Sequence, residues 1–152
     1  INIFIIFVKK SMEDFYSLGL LLSRASVALA KSMNTALENN NYDLPHSQFI
    51  VLWCLYFKDG LSQFEIAKLL SKDAAAIKRT IDNLEKKGFV TRVYVRNLKN
   101  SICITEKGKN IMPDVLRIAD EVTNEALNEI GADKKKYLNT ILDKIYINLE
   151  KK

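Results

Sequence analysis

Eight cations fall within thirty residues near the middle of this chain: Lys72, Lys78, Arg79, Lys86, Lys87, Arg92, Arg96 and Lys99. Only Asp73, Asp82 and Glu85 offset them, so residues 71–100 carry eight minus three, a formal +5. The remaining sequence holds fifteen basic and fifteen acidic residues, so the whole excess of the chain sits in one segment. A scattered excess would read as a solvated surface, whereas a concentrated one is the electrostatic footprint of a polyanion binder. Other chemistry is poorly supplied. The single His and the two cysteines, Cys54 and Cys103, lack the spacing of a zinc site or a disulfide framework, and the cysteines read as reduced cytosolic thiols. No Ser/His/Asp, Cys/His or glycine-rich phosphate-loop arrangement occurs, so neither an enzyme nor a cofactor is expected.

The elements that position these cations can be read from period and punctuation. Asp59-Gly60 ends a preceding apolar helix, and Ser62-Gln63-Phe64-Glu65 is a capping box opening a short helix with Ile66, Leu69 and Leu70. After Ser71-Lys72, Asp73 is the N-cap of a second helix that stops before Gly88. On it Ile77, Ile81 and Leu84 form one apolar face, leaving Ala75, Lys78, Arg79, Asp82 and Lys86 on the other. The period then changes to two. Residues 89–95 read as a strand, 96–100 as a polar tip and 101–105 as a returning strand.

Flanking this unit, residues 12–37 place Phe15, Leu18, Leu22, Ala25, Leu29 and Leu37 at helical spacings, with further apolar residues off that stripe. A band wider than one stripe needs two partners, one within its own domain and one beyond it. Asn39-Asn40-Asn41 breaks this helix, and Pro45 suits the first turn of the next, about residues 46–57, whose apolar composition predicts burial at the domain centre. Thr105 caps a long helix to about Ile130 with Pro113 near its start or at a kink. Gly131-Ala132-Asp133 leads to a last helix in which Leu138, Ile141, Leu142, Ile145 and Leu149 recur at three- and four-residue spacings. With five glycines and two prolines in 152 residues, the chain has too few turns for an all-β fold. The opening INIFIIFV is too short to span a bilayer and has no small-residue cleavage site after it, so a cytoplasmic protein without a membrane segment is expected.

Two short helices joined by a tight turn and followed by a β-hairpin form a winged helix-turn-helix. The second helix spends its apolar face on its own domain, so its polar face is free to enter a groove of double-stranded DNA. Ala74 and Ala75 allow close approach to base edges or a thymine methyl, and Lys78 and Arg79, one turn on, reach guanine or phosphate. From Leu44 to about Met112 the sequence resembles the MarR family of regulators. The likeness runs through Leu44, Gln48-Phe49, Val51-Leu52, Leu61-Ser62-Gln63, Ile66-Ala67, Asp73 and Arg79. Its most specific part is Leu84-Glu85-Lys86-Lys87-Gly88-Phe89-Val90-Thr91-Arg92, and Ile104-Thr105-Glu106-Lys107-Gly108 closes it.

The resemblance implies a mainly α fold with a small β-hairpin wing, acting as a homodimer on a palindromic operator. Such proteins are usually repressors, often released by a small aromatic molecule bound between the dimer helices and the winged domain. The chain then divides into an extension (1–11), an N-terminal dimerisation helix (12–40), the winged DNA-binding domain (44–105) and C-terminal dimerisation helices (106–152). The expected DNA-binding residues are Ser62, Gln63, Lys72, Ala74, Ala75, Lys78, Arg79, Arg96, Asn97 and Lys99. Dimerisation falls to Phe15, Leu18, Leu22, Leu138, Ile141 and Ile145, and an effector would meet Trp53, Tyr56 and Met112, with Phe57 nearby.

One departure stands out. The family's wing usually carries an Asp-x-Arg tip, but here it reads Arg96-Asn97-Leu98-Lys99-Asn100, without the acid. Arg96 or Lys99 retains the charge to meet phosphate or a narrow minor groove. The unusual wing also favours a rival reading, a protein-interaction module that kept the fold and lost DNA binding; the basic segment argues against it. Trp53 reads first as core and second as pocket lining. His46 reads as exposed and inert, and Cys103, alternating with Ile102 and Ile104, points away from the side they bury.

Overall fold

The computed structural model describes residues 18–95 and 98–150, the side chains of 95, 98 and 99 excepted. Its elements run α1 (Leu18–Asn39), α2 (His46–Phe57), β1 (Leu61–Ser62), α3 (Gln63–Leu69), α4 (Ala74–Lys86), β2 (Val90–Val95), β3 (Leu98–Ile104), α5 (Glu106–Ala126) and α6 (Ala132–Glu150). This is the mainly α winged helix-turn-helix that the punctuation predicts, with α3 and α4 as the helix pair.

Helix ends follow local chemistry. At α3, the Glu65 N–H donates to Ser62 Oγ at 3.2 Å while the Ser62 N–H donates to Glu65 Oε2 at 2.8 Å, completing the capping box. At α4, Asp73 Oδ1 accepts from Ala75 N–H and Ala76 N–H, at 2.7 and 3.2 Å. Three helices stop in the same way. The residue after the C-cap is left-handed, and its N–H and the next one reach back to orphan carbonyls. Asn41 (φ 62°) ends α1, Ser71 (φ 49°) ends α3 and Gly88 (φ 77°) ends α4. At α3 the Ser71 N–H donates to Lys68 O at 3.2 Å and the Lys72 N–H to Ala67 O at 3.0 Å. The tight turn into α4 is therefore set by backbone bonds, although a serine at φ > 0 costs roughly 1 kcal/mol that a glycine would not.

Helix α2 starts one residue later than the proline rule suggests, with Pro45 itself as N-cap and no side-chain cap of its own. Its exposed N–H is satisfied from a distance: Asn34 Oδ1 on α1 accepts from the His46 N–H at 2.6 Å. Asp59 serves the sheet similarly, its Oδ1 accepting from the Ile104 N–H at 2.8 Å and the Gly60 N–H at 2.9 Å.

The sheet keeps the expected hairpin, β2 with β3, and adds a short strand to it. It has three antiparallel strands in the order β1-β3-β2, with Leu61 opposite Ile102 and Ser62 opposite Ser101. On the other side Val90 pairs with Ile104, Arg92 with Ile102 and Val95 with Leu98, with a register irregularity between Val93 and Val95. Strand β3 thus begins three residues before the predicted Ser101. Pairing continues through the stretch read as a polar tip, leaving only residues 96 and 97 between the strands.

A single hydrophobic cluster joins Leu44, Val51, Leu52, Leu55, Ile66, Ile77, Ile81, Leu84, Val90, Ile102 and Ile104 to Met33 and Leu37 of α1 and to Met112, Val115, Ile118 and Val122 of α5. The core therefore crosses the sequence boundaries near 44 and 105. The C-terminal part of α1 and most of α5 belong to it, and Pro113 lies inside α5 on its exposed side. Helix α5 ends at Ala126, four residues short of expectation, and Glu129 (φ 60°) precedes the turn into α6.

Thr105 caps α5, its Oγ1 accepting from the Gly108 N–H at 3.1 Å and donating to Gly88 O at 2.7 Å. This draws the first turn of α5 against the end of α4, so tightly that a Cβ on Gly108 would collide with the Phe89 carbonyl and lie 2.8 Å from Ile104 Cγ1. Backbone cannot yield there as a flexible side chain can. Gly108→Ala is expected to destabilise the protein by about 1–3 kcal/mol through overpacking, read from denaturant midpoints; an unchanged midpoint would show that the α4–β2–α5 junction opens freely.

Candidate nucleic-acid interface

Burial of Ile77, Ile81 and Leu84, each 3% exposed or less, fixes which side of α4 faces the core. At about 1.5–3 kcal/mol per buried aliphatic side chain, this stripe outweighs any preference of the polar side chains for another orientation. Ala74, Ala75, Lys78, Arg79 and Lys86 are left exposed on the outer side. Gln63, half-buried at the start of α3, reaches across the turn, its Nε2 donating to Ala74 O at 3.2 Å. It braces the first turn of α4.

The basic segment does not present all its cations alike. Lys87 is spent inward, its Nζ lying 2.9 Å from Asp43 Oδ1 and donating to Gln48 Oε1 at 3.0 Å. Arg92 of β2 is held between two carboxylates of α4, NH2 on Asp82 and NH1 on Glu85, while its backbone N–H donates to Glu85 Oε1 at 3.2 Å. Lys78 Nζ lies 3.1 Å from Asp82 Oδ2 yet remains largely exposed. Lys72, Arg79 and Lys86 are exposed and make no ion pair with the described residues. The Asp82 carboxyl is held below the usual carboxylate range, first by the Lys78 hydrogen bond and then by that of Arg92. Both inward pairings were missed in the sequence, where Lys87 and Arg92 looked like two more free cations. The partners of Lys87 stand 44 and 39 residues away, and those of Arg92 lie 10 and 7 residues back across the turn from helix to strand.

Ser62 needs correction as a DNA-contacting residue. It is 6% exposed and its hydroxyl donates to Glu65 Oε2 at 2.6 Å, so capping and the β1 pairing occupy it. Arg96 and Asn97 lie outside the described residues, and Lys99 stands in β3 with its side chain undescribed.

The aromatic group on α2 also departs from expectation. Trp53 is 44% exposed, not core, and stacks obliquely on Phe57 at 5.2 Å between centroids, while Tyr56 meets Phe57 edge-on at 5.4 Å. Met112 does not join them; it is fully buried in the core. His46 is half-buried, not exposed, and burial, then the charge of Lys72, lowers its pKa. Cys103 is partly buried opposite Ile102 and Ile104, and burial pushes its thiol up, away from the reactive thiolate.

Dimerisation residues are spread over α1 and α6. Leu18 and Leu22 lie on the N-terminal half of α1, where no residue is buried until Met33, and Phe15 lies outside the described residues. Helix α6 buries nothing at all: Leu138 and Ile141 are exposed and Ile145 is intermediate. Among the described residues no helix is long and apolar enough to cross a membrane.

An outward basic helix, braced by a capped partner helix and flanked by a wing, defines the winged helix-turn-helix class. Comparisons with known proteins agree and narrow it. Residues 44–94 match the model of the MarR family. The chain is 26% identical over 127 residues to the uncharacterised HTH-type transcriptional regulator YybA of Bacillus subtilis, covering 82% of this chain and 85% of that one. The fold is that of a Listeria monocytogenes MarR-family regulator solved with a 26mer DNA, at a TM-score of 0.80 and 24% identity over 89% of this chain and 90% of that one. Bordetella bronchiseptica BpsR, whose DNA binding is regulated by 6-hydroxynicotinic acid, superposes with a TM-score of 0.75 at 19% identity over 86% of this chain and 94% of that one. Residues 44–94 thus resemble the MarR family, and the chain as a whole is similar to HTH-type transcriptional regulators and shares the winged-helix fold of the solved ones.

Proposed function

We propose that the chain is a homodimeric repressor that docks α4 of each protomer in successive major grooves of a palindromic operator. The observation that carries this reading is the outer face of α4, with two small side chains, Ala74 and Ala75, ahead of exposed Lys78, Arg79 and Lys86. Arg79, free of ion pairs among the described residues, is the candidate to read guanine, worth about 1–3 kcal/mol of discrimination when bidentate. Lys72, Lys86 and the wing residues Arg96, Asn97 and Lys99 then serve phosphate or the minor groove, and Gln63 positions the helix start. The residue ranges 12–40, 44–105 and 106–152 keep their roles as dimer arm, DNA reader and dimer platform, although one core runs through all three.

Binding to duplex DNA should weaken steeply with salt, each phosphate contact adding about −0.9 to the slope of log K against log salt. Arg79→Ala should reduce preference for a selected operator over random duplex roughly 5- to 150-fold, whereas Lys86→Ala should weaken both alike. Mobility shifts across a salt series check both, and salt-independent binding would sink the reading in favour of a protein-interaction module.

The dimer rests on α6, whose Tyr137, Leu138, Ile141, Leu142, Tyr146, Ile147 and Leu149 are all exposed in the single chain. Apolar area on that scale is more than a soluble monomer normally leaves wet. Ile141→Glu together with Ile145→Glu should yield monomers or aggregates and abolish operator binding; wild-type monomers in light scattering at micromolar concentration would contradict it.

An aromatic effector is proposed at the exposed Trp53–Tyr56–Phe57 group, with buried Met112 outside it. Trp53 is the chain's one tryptophan, so its emission reports binding directly. Titration with phenols and aromatic acids should perturb that emission and, at an allosteric coupling of about 1–3 kcal/mol, lower operator affinity about 5- to 150-fold. A ligand that shifts emission and leaves operator affinity unchanged would show a pocket without a switch.

A further inference from the structure

Asp82 and Glu85 stand three residues apart on α4, on the flank that meets the wing, and both keep about a third of their side chains exposed. Left alone, two carboxylates beside the exposed Lys78, Arg79 and Lys86 would repel the phosphates those cations are to meet. The structure answers with one residue of another element. The Arg92 guanidinium, 17% exposed, is inserted between them, and its own backbone N–H is tied to Glu85 as well. Asp82 in turn accepts from Lys78 on its other oxygen, at 3.1 Å. The four groups sum to zero charge, and they join the strand that leads to the wing tip to the helix that enters the groove.

We propose that Arg92 is a positioning residue for DNA recognition: it neutralises Asp82 and Glu85 at the edge of the phosphate-facing surface and locks the wing strand to α4. The proposal rests on the DNA-binding reading above. Arginine suits the task because its planar fork meets two carboxylates at once and stays charged at all working pH values. Lysine, a point charge, holds one carboxylate at a time. The two effects of the clamp are separable. Neutralisation governs affinity for any duplex, since phosphate is common to all sequences, whereas the lock on the wing governs preference for one sequence.

The experiment uses a random 26-base-pair duplex and a duplex selected by the wild-type protein from a random-sequence library. Folding and oligomeric state of each variant are checked by circular dichroism and light scattering. Arg92→Gln should weaken binding to the random duplex roughly tenfold at low salt, the two freed carboxylates opposing phosphate. Adding Asp82→Asn and Glu85→Gln to that variant should restore random-duplex affinity to near the wild-type value and leave preference for the selected duplex low. Arg92→Lys should hold random-duplex affinity near wild type while losing part of the preference. Should Arg92→Gln fail to fold, the Asp82→Asn/Glu85→Gln protein takes its place. With Arg92 unopposed it should bind random duplex more tightly and discriminate less. Random-duplex affinity unchanged by Arg92→Gln, or lost and not restored by removing the carboxylates, would overturn the clamp, as would a double variant that behaves as wild type. Wild-type protein that binds no duplex would overturn the DNA reading itself, and the clamp with it.

Discussion

One helix has to be half in the core and half in water, and most of the rest of the fold serves that division. Ile77, Ile81 and Leu84 are buried to 3% or less, while Ala74, Ala75, Lys78, Arg79 and Lys86 are exposed. Burial alone would let the helix slide along or rotate by a fraction of a turn, since aliphatic contacts are non-directional. Directional bonds remove that freedom at each end. Asp73 holds the first turn through two N–H groups, and Gln63 grips the Ala74 carbonyl from α3. At the far end Lys87 is anchored to Asp43 and Gln48, and Gly88 turns the chain directly into β2. The polar bonds here contribute little net free energy each, about 0.5–1.5 kcal/mol, but they specify where the helix lies.

The same logic explains why three of the segment's six described cations, Lys78, Lys87 and Arg92, are paired. A helix covered only in Lys and Arg would repel itself and its neighbours, and electrostatic steering of a polyanion does not need every charge to be free. Lys87 and Arg92 are used as fasteners, each joining α4 or its C-cap to a different element, and the charges of their partner acids are thereby offset. Net charge of the segment is unchanged by this pairing. Its distribution is not: among the described residues the cations left exposed without an ion pair are Lys72, Arg79 and Lys86, the ones the proposed DNA contact uses.

What was legible in the sequence was whatever depends on near neighbours. The Ser62–Glu65 box, the Asp73 cap, the Gly88 stop, the Thr105 cap and the buried stripe of α4 are each decided within a few residues, and all stand in the structure. Strand β1 was not legible, because two residues carry no period and Leu61-Ser62 pair only once β3 lies beside them. The length of β3 was misjudged because backbone pairing does not require an apolar side chain, so polar Asn100 reads as a tip and folds as a strand. Helix α2 misled for a different reason. Being apolar nearly all round, its sequence does not say which side is covered, and Trp53, Tyr56 and Phe57 fell on the open one. Ser62 illustrates how a good local reading can defeat a functional one: the bond that makes it a cap also takes its hydroxyl out of reach of DNA.

Helix α6 carries the last step. In proteins most helical stability comes from packing of an apolar face, and this 19-residue helix has no fully buried side chain to offset the ordering of its backbone. Its apolar residues recur at helical spacing, from Leu138 through Ile141, Leu142 and Ile145 to Leu149, so the exposed surface is a stripe and not a scatter. The N-terminal half of α1 has the same character, with Leu18, Leu20, Leu21, Val27 and Leu29 exposed ahead of the first buried residue. Two such helices, one packed on α5 and one following it in sequence, leave apolar stripes that the proposed second copy would cover. A second copy would also set the distance between two α4 helices, which on B-form DNA has to match one turn, about 34–36 Å. The proposed assembly thus joins two otherwise separate observations, exposed apolar stripes on α1 and α6 and a braced α4 with an exposed basic face. A single recognition helix would contact too few bases to choose a site among many, and a fixed pair would read twice as far.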